Sequence, residues 1–146
     1  MILVTGGAYQ GKRAFAEALF IERNPDASCQ IRVADGENCA AEDLWNADIA
    51  DHFHEYVRRF GDELPSPEDF AAALYGKVPG LIIVTNELGS GIVPALKEDR
   101  EWRERTGRTC TEIASYCREV YRVICGVGIL LKGNGTGSSY DKKNIC

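Results

Sequence analysis

The stretch Met1-Ile2-Leu3-Val4-Thr5-Gly6-Gly7-Ala8-Tyr9-Gln10-Gly11-Lys12-Arg13 decides the fold. Ile2 to Thr5 is short, rich in β-branched residues and bounded by glycines, as a buried parallel strand should be. A glycine-rich turn leads into a helix beginning near Lys12, on which Ala14, Ala18 and Ile21, and also Phe15 and Leu19, recur at helical spacing. Asn24-Pro25-Asp26 ends that helix. Between strand and helix, Gly6 to Lys12 matches GxxxxGK. Glycines there let the backbone wrap a phosphate with several N–H groups pointing inward, the helix N-terminus adds partial positive charge, and the lysine reaches the β/γ-phosphates. Gly6, Gly7, Ala8, Tyr9, Gln10, Gly11, Lys12 and Arg13 are therefore the predicted nucleotide loop, with Lys12 in a catalytic role.

One departure matters for chemistry. The pattern places Ser or Thr after the lysine, where its hydroxyl holds Mg²⁺. Here that residue is Arg13, which cannot ligate a cation and repels one. ATP or GTP binding is expected; Mg²⁺, which a kinase would use, is put in doubt, and no metal-ligating residue is assigned.

Outward from this unit the chain alternates strands and helices. Gln30 to Ala34 reads as a second strand closed by Asp35-Gly36. Ile49, Phe53, Tyr56, Val57 and Phe60 predict a helix over Ala41 to Phe60, stopped by Gly61. Ser66-Pro67-Glu68-Asp69 is a helix start: a cap, a proline suited to the first position and two acids at the positive end of the dipole. Leu81-Ile82-Ile83-Val84, apolar on both faces, predicts a central parallel strand. A short helix is expected within Lys97 to Arg108, and Cys110, Ile113, Ala114 and Cys117 share one helical face beyond it. Val120 to Cys125 and Ile129 to Lys132 are the last strands. The fold class is α/β, a mostly parallel sheet flanked by helices, with one domain over 1–132 and a flexible polar tail over 133–146. Ligands in such sheets bind outside the carboxyl ends of the strands.

Composition agrees. With 45% hydrophobic and 27% charged residues in 146, the chain is globular and of single-domain size. A net charge of −5 argues against nucleic acid as a partner. No apolar run is long enough for a membrane span, and the N-terminus reads as a strand rather than a signal peptide, so the protein is expected in the cytoplasm. None of the six cysteines forms a CxxC pair, which predicts reduced, mostly buried thiols.

Two further segments carry candidate chemistry. Val84-Thr85-Asn86-Glu87-Leu88-Gly89-Ser90-Gly91-Ile92-Val93-Pro94 places Glu87 just past a buried strand, where a general base or a magnesium-associated carboxylate would stand. Arg100, Arg103, Arg105 and Arg108 could clamp phosphates, although Glu–Arg pairing on a solvated helix explains the same run.

Together the opening MILVTGGxxxGK, the VTNELGSGIVP block, Arg100, Arg103, Gly107-Arg108 and Val120-Tyr121-Arg122-Val123 resemble the bifunctional adenosylcobinamide kinase/adenosylcobinamide-phosphate guanylyltransferase family of cobalamin biosynthesis. The resemblance covers Met1 to Arg23 and Leu81 to Lys132. It implies a RecA-like P-loop fold, a homotrimer, phosphorylation of the adenosylcobinamide hydroxyl from ATP or GTP, and transfer of GMP through a guanylylated histidine. Residue by residue, it carries nucleotide contacts to Gly6, Gly7, Gly11 and Lys12 and a phosphate or substrate contact to Asn86, with Glu87 catalytic and Arg100 and Arg103 offsetting charge. Ala34-Asp35-Gly36 takes the place of the family's Ala-Thr-Ser, as part of the nucleotide site. The family's histidine-rich segment has no counterpart here.

The only histidines, His52 and His54, fall on the predicted Ala41–Phe60 helix, His54 facing away from the core and His52 at its edge, which makes both surface residues. Guanylyl transfer is accordingly expected to be lost. The alternative reading is a non-catalytic nucleotide or corrinoid sensor, in which Arg13 pairs with a phosphate in place of magnesium.

Overall fold

The computed structural model describes residues 1–26, 30–89 and 91–134; the expected tail lies, from 135 onward, outside the described residues. Six strands form one sheet in the order β2-β3-β4-β1-β5-β6. They are β1 (Ile2–Thr5), β2 (Val33–Asp35), β3 (Ile49–Asp51), β4 (Ile82–Val84), β5 (Glu119–Ile124) and β6 (Val127–Lys132). All neighbours pair in parallel except β5 and β6, which form an antiparallel hairpin. The helices are α1 (Lys12–Arg23), α2 (Phe53–Phe60), α3 (Pro67–Lys77) and α4 (Lys97–Tyr116).

The central strands sort their side chains by parity. Ile2 and Val4 of β1 and Ile82 and Val84 of β4 pack with Phe15, Ala16 and Leu19 of α1 on one face. Leu3, Leu81 and Ile83 pack on the other face with Phe53, Val57, Phe70, Leu74 and Ile113 from α2, α3 and α4. Alternate residues point to opposite faces of a strand, so a strand covered by helices on both sides must be apolar throughout. The expectation of a central, doubly covered Leu81–Val84 strand is met: β4 lies between β3 and β1. At the head of α3 the Ser66 hydroxyl accepts the Asp69 N–H at 3.1 Å, as the sequence signature predicts.

Three expectations need correction. The predicted Ala41–Phe60 helix is a 3-10 turn over Ala41–Asn46, the strand β3 and the helix α2. Ile49 belongs to the strand and shared the helical period by coincidence; a three-residue strand buried throughout offers no alternation to reveal it. The break falls at His52, a non-glycine residue with φ 46°. The second strand is shorter and displaced, Val33–Asp35. The charged stretch after Lys97 runs unbroken into the Cys110 segment as one 20-residue helix; Gly107 does not interrupt it.

Of the cysteines, Cys39 and Cys117 are buried, Cys110 is half-buried and Cys125 is exposed, all with free thiols. Burial pushes the Cys117 thiol up to about 11, so it stays protonated and inert. Cys29 and Cys146 fall outside the described residues.

Two glycines give opposite expectations. A Cβ on Gly128 would stand 2.2 Å from the Phe15 ring, whereas one on Gly107 would meet nothing within 4 Å. Gly128→Ala should lower unfolding free energy by about 1–3 kcal/mol through overpacking. Gly107→Ala should raise it by about 0.5–1 kcal/mol as a helix-interior replacement. Urea unfolding of the two variants against the parent checks both signs.

Candidate functional site

The carboxyl ends of β1, β3 and β4 meet at one edge of the sheet. They frame a cleft of about 360 Å³ lined by Ala8, Tyr9, Gln10, Gly11, Lys12, Arg13, Glu37, Asp51, His52, His54, Glu55, Val84, Thr85 and Asn86. This is where an open parallel sheet binds its ligands.

The loop after β1 is held by three neighbours. Gly6, at φ 150°, brings its Cα so near β5 that a Cβ would lie 2.4 Å from the Val123 carbonyl oxygen. Its own carbonyl accepts the Glu87 N–H at 3.0 Å. From the other side, Gln10 Oε1 accepts the Cys125 N–H at 2.7 Å and the Gln10 carbonyl accepts the Gly126 N–H at 2.8 Å. Gly11 caps α1 at φ 83° with no side-chain cap, so the first amides of the helix are left for another acceptor. Tyr9, also at positive φ, stands fully exposed at the loop's tip.

Lys12 is buried, and its Nζ donates to the Gly7 carbonyl at 2.6 Å. Burial lowers its pKa, against which the carboxylates of Asp51 and then Glu87 act. Arg13 donates from Nη1 to Asp51 Oδ2 at 3.1 Å and from Nε to Glu17 Oε1 at 2.6 Å. Its charge is thus shared with two carboxylates, one of them the buried Asp51 at the end of β3.

His54 corrects the sequence reading. It is 4% exposed, not a surface residue, because the helix begins only at Phe53 and its wheel differs from the one Ile49 implied. Its Nδ1 accepts the Asn86 N–H at 3.2 Å and its carbonyl accepts the Trp102 indole N–H at 2.7 Å. His54 thereby ties β4, α2 and α4 together. Burial first, then the nearby His52 and Lys12, lower its pKa to about 4. His52 lines the cleft, with Nδ1 3.0 Å from Asp35 Oδ1. Donor atoms of Asp35, Glu37 and His52 lie within 4.8 Å of one another; a cation held there would compete with that His52–Asp35 bond.

The remaining predicted residues are placed as follows. Asn86 lines the cleft. Glu87 turns to Arg122, which donates to its two oxygens at 2.8 and 2.9 Å; the carboxylates that line the cleft are Glu37, Asp51 and Glu55 instead. Ala34 is buried within β2, Asp35 holds His52, and Gly36 packs so tightly that a Cβ would lie 2.2 Å from the His52 carbonyl oxygen. These three support the site from behind, and Glu37 is the residue of that turn that reaches the cleft. Arg100 donates to the Pro94 and Ala95 carbonyls and Arg103 to that of Ile92, so both fasten the loop before α4 and neither lines the cleft. Sequence reading missed Asp51, His54, Glu55 and Glu37. The signal for the first three was the titratable run Asp51-His52-Phe53-His54-Glu55 directly after the apolar Ile49-Ala50.

A mostly parallel sheet whose first strand passes through GxxxxGK into a helix defines the P-loop α/β class. Residues 64–131 match the family described as cobinamide kinase / cobinamide phosphate guanyltransferase. The chain is 26% identical to the bifunctional adenosylcobalamin biosynthesis protein CobU of Escherichia coli (strain K12), over 90% of this chain and 99% of that protein. Against the protein of the same name from Salmonella typhimurium it is 38% identical over 36% of this chain and 29% of that one. The family match and both relatives support a likeness to the cobinamide kinase / cobinamide phosphate guanyltransferase family.

His54 makes stability depend on pH with a definite sign. In the unfolded chain the ring takes a proton near its ordinary pKa of 6.5, whereas the folded protein refuses it until about 4. The native state is unpenalised above 6.5 and loses up to about 3 kcal/mol as pH falls from there to 4. Urea unfolding measured at pH 7 and pH 4.5 should show this loss in the parent and a flatter profile in His54→Gln.

Proposed function

We propose that this chain is a phosphoryl-transfer protein of cobalamin biosynthesis, binding ATP or GTP at Gly6–Arg13 and phosphorylating the hydroxyl of adenosylcobinamide. The observation that carries this reading is Lys12, which stands at the head of α1 in a glycine loop at the carboxyl end of the central strand and borders the cleft. Its ammonium would stabilise charge on the transferring phosphoryl group. Glu37, Asp51 and Glu55 line the same cleft, and in this reading a carboxylate among them orients the acceptor hydroxyl. The E. coli relative's name, bifunctional adenosylcobalamin biosynthesis protein, supports the pathway.

Guanylyl transfer is left out of the proposal. The family's histidine-rich segment is missing, and His54 is buried and hydrogen-bonded to Asn86. Assembly as a homo-oligomer, a trimer by resemblance, belongs to the same reading. It is supported by Ile124, Val127, Ile129 and Leu131, exposed along the β5–β6 hairpin at the sheet's edge. Among the described residues no helix is long and apolar enough to cross a membrane. The Arg13–Asp51 pair favours a second reading, a nucleotide-binding sensor without turnover, since it occupies groups that a kinase would use for its metal.

Transfer of labelled γ-phosphate from ATP or GTP to adenosylcobinamide tests the first reading, with Lys12→Ala expected to reduce it by about 10²–10³-fold, as for a lost charge-stabilising donor. Nucleotide binding without transfer would establish the sensor instead.

A further inference from the structure

The family resemblance implies Mg²⁺ beside the nucleotide phosphates, and the residues present do not fit it. The position after Lys12 offers a guanidinium where an oxygen ligand belongs. The buried carboxylate of the cleft, Asp51, is 6% exposed and its Oδ2 already accepts from Arg13 Nη1 at 3.1 Å. Mg²⁺ requires oxygen ligands at about 2.0–2.1 Å in near-ideal octahedral geometry and gives up its waters reluctantly. An ion on that Asp51 oxygen would stand against the guanidinium, two cations on one acceptor. Moving Arg13 aside would also break its bond to Glu17 at 2.6 Å.

We infer that Arg13 takes the place of the divalent cation, so that the nucleotide's phosphates are held by Lys12, Arg13 and the loop amides without metal. The inference rests on the nucleotide-binding reading above and deepens it. A guanidinium carries five N–H donors in a planar fork that matches phosphate oxygens. Arg13 uses Nε on Glu17 and one Nη1 hydrogen on Asp51, which leaves donors for a ligand. Its side chain is 42% exposed and borders the cleft, so the outer edge of the fork is reachable. The two anchors fix the side chain beforehand, which reduces the entropy lost on binding. The charge balance also requires it. Glu37, Asp51 and Glu55 line the same cleft, and a polyphosphate entering among them without Mg²⁺ needs a second cation beside Lys12.

Calorimetric titration of the full chain with GTP and with ATP, once in EDTA and once in excess Mg²⁺, tests this. Parent dissociation constants within about threefold of each other in the two buffers are expected, whereas loss of a charge-assisted contact in Arg13→Ser should weaken binding in EDTA by about tenfold or more. Added Mg²⁺ should restore that variant, since serine supplies the missing hydroxyl. Arg13→Lys, which keeps the charge without the fork, should fall between the two. Parent binding that requires Mg²⁺ overturns the inference and leaves the nucleotide reading intact. Unchanged binding of Arg13→Ser in EDTA, with its far-UV circular dichroism matching the parent, also overturns it. Absence of binding to either nucleotide in both buffers overturns the nucleotide reading and this inference with it. Because the parent comparison needs no substitution, a variant that fails to fold does not rescue the idea.

Discussion

The exit of the chain from β1 is the constraint on which the site depends. β1 lies between β4 and β5, paired in parallel with both, and helices cover its two faces. The chain can leave only at the carboxyl edge and must turn at once. Gly6 does this at φ 150° with no room for a Cβ beside the Val123 carbonyl. That close approach lets β5 support the loop from one side while the Glu87 N–H, from the segment after β4, holds the Gly6 carbonyl from the other. The loop is thus fixed by the same two strands that fix β1, which is why this glycine loop can keep its shape although five residues separate Gly6 from the helix start at Lys12.

Fixed in this way, the loop delivers two adjacent cations, Lys12 and Arg13, to a cleft edged with carboxylates. Their environments differ. Lys12 is buried and bonded to its own loop at Gly7, and burial lowers its pKa. Arg13 lies further out and shares its charge with Glu17 and Asp51. An ammonium is a point charge that follows whichever oxygen is nearest, whereas a guanidinium anchored at two places presents a fixed direction. The pair therefore gives the cleft one adjustable charge and one positioned charge.

Much of the fold was legible because the sequence states it redundantly. β1, α1, α3 and β4 each combined a hydrophobic pattern with independent punctuation: Gly6-Gly7 after β1, Asn24-Pro25 after α1, Ser66-Pro67 before α3, Pro79-Gly80 before β4. β3 had neither support. Its Ile49-Ala50-Asp51 is too short for a period, and it is followed by His52 at positive φ, where a glycine would have signalled the break. Losing β3 moved His54 to the wrong side of a helix that does not exist and hid Asp51, the acid at the end of that strand. Lys12, Arg13 and Asn86 line the cleft because their loops follow strands that were read correctly. Arg100, Arg103 and Glu87 did not, since each found a partner nearer to hand: loop carbonyls for the arginines and Arg122 for the glutamate. Residue type at a strand end shows what chemistry is available, but a competing partner contributed by a distant segment is invisible until the chain is folded.

Two of the departures from the family pattern gain a common meaning in the structure. Where the resemblance calls for a hydroxyl after Lys12 there is Arg13, and where it calls for Thr-Ser after the second strand there is Asp35-Gly36. Neither replacement is left solvated at random. Arg13 pairs with Asp51 at 3.1 Å, and Asp35 pairs with His52 at 3.0 Å. Asp51 and His52 are consecutive residues at the end of β3, and the Asp51 carboxylate also accepts the His52 N–H at 2.9 Å. Two hydroxyl-bearing positions have thus become charged or charge-bearing groups that meet at one junction, joining α1 to β3 and β3 to β2 across the floor of the cleft. A hydroxyl presents its lone pairs to a metal or a phosphate and leaves the strand ends independent. Paired charges instead join the strand ends and settle in advance which groups face a ligand. In this chain the Asp51–His52 junction, more than either replacement alone, sets the electrostatics that an incoming anion meets.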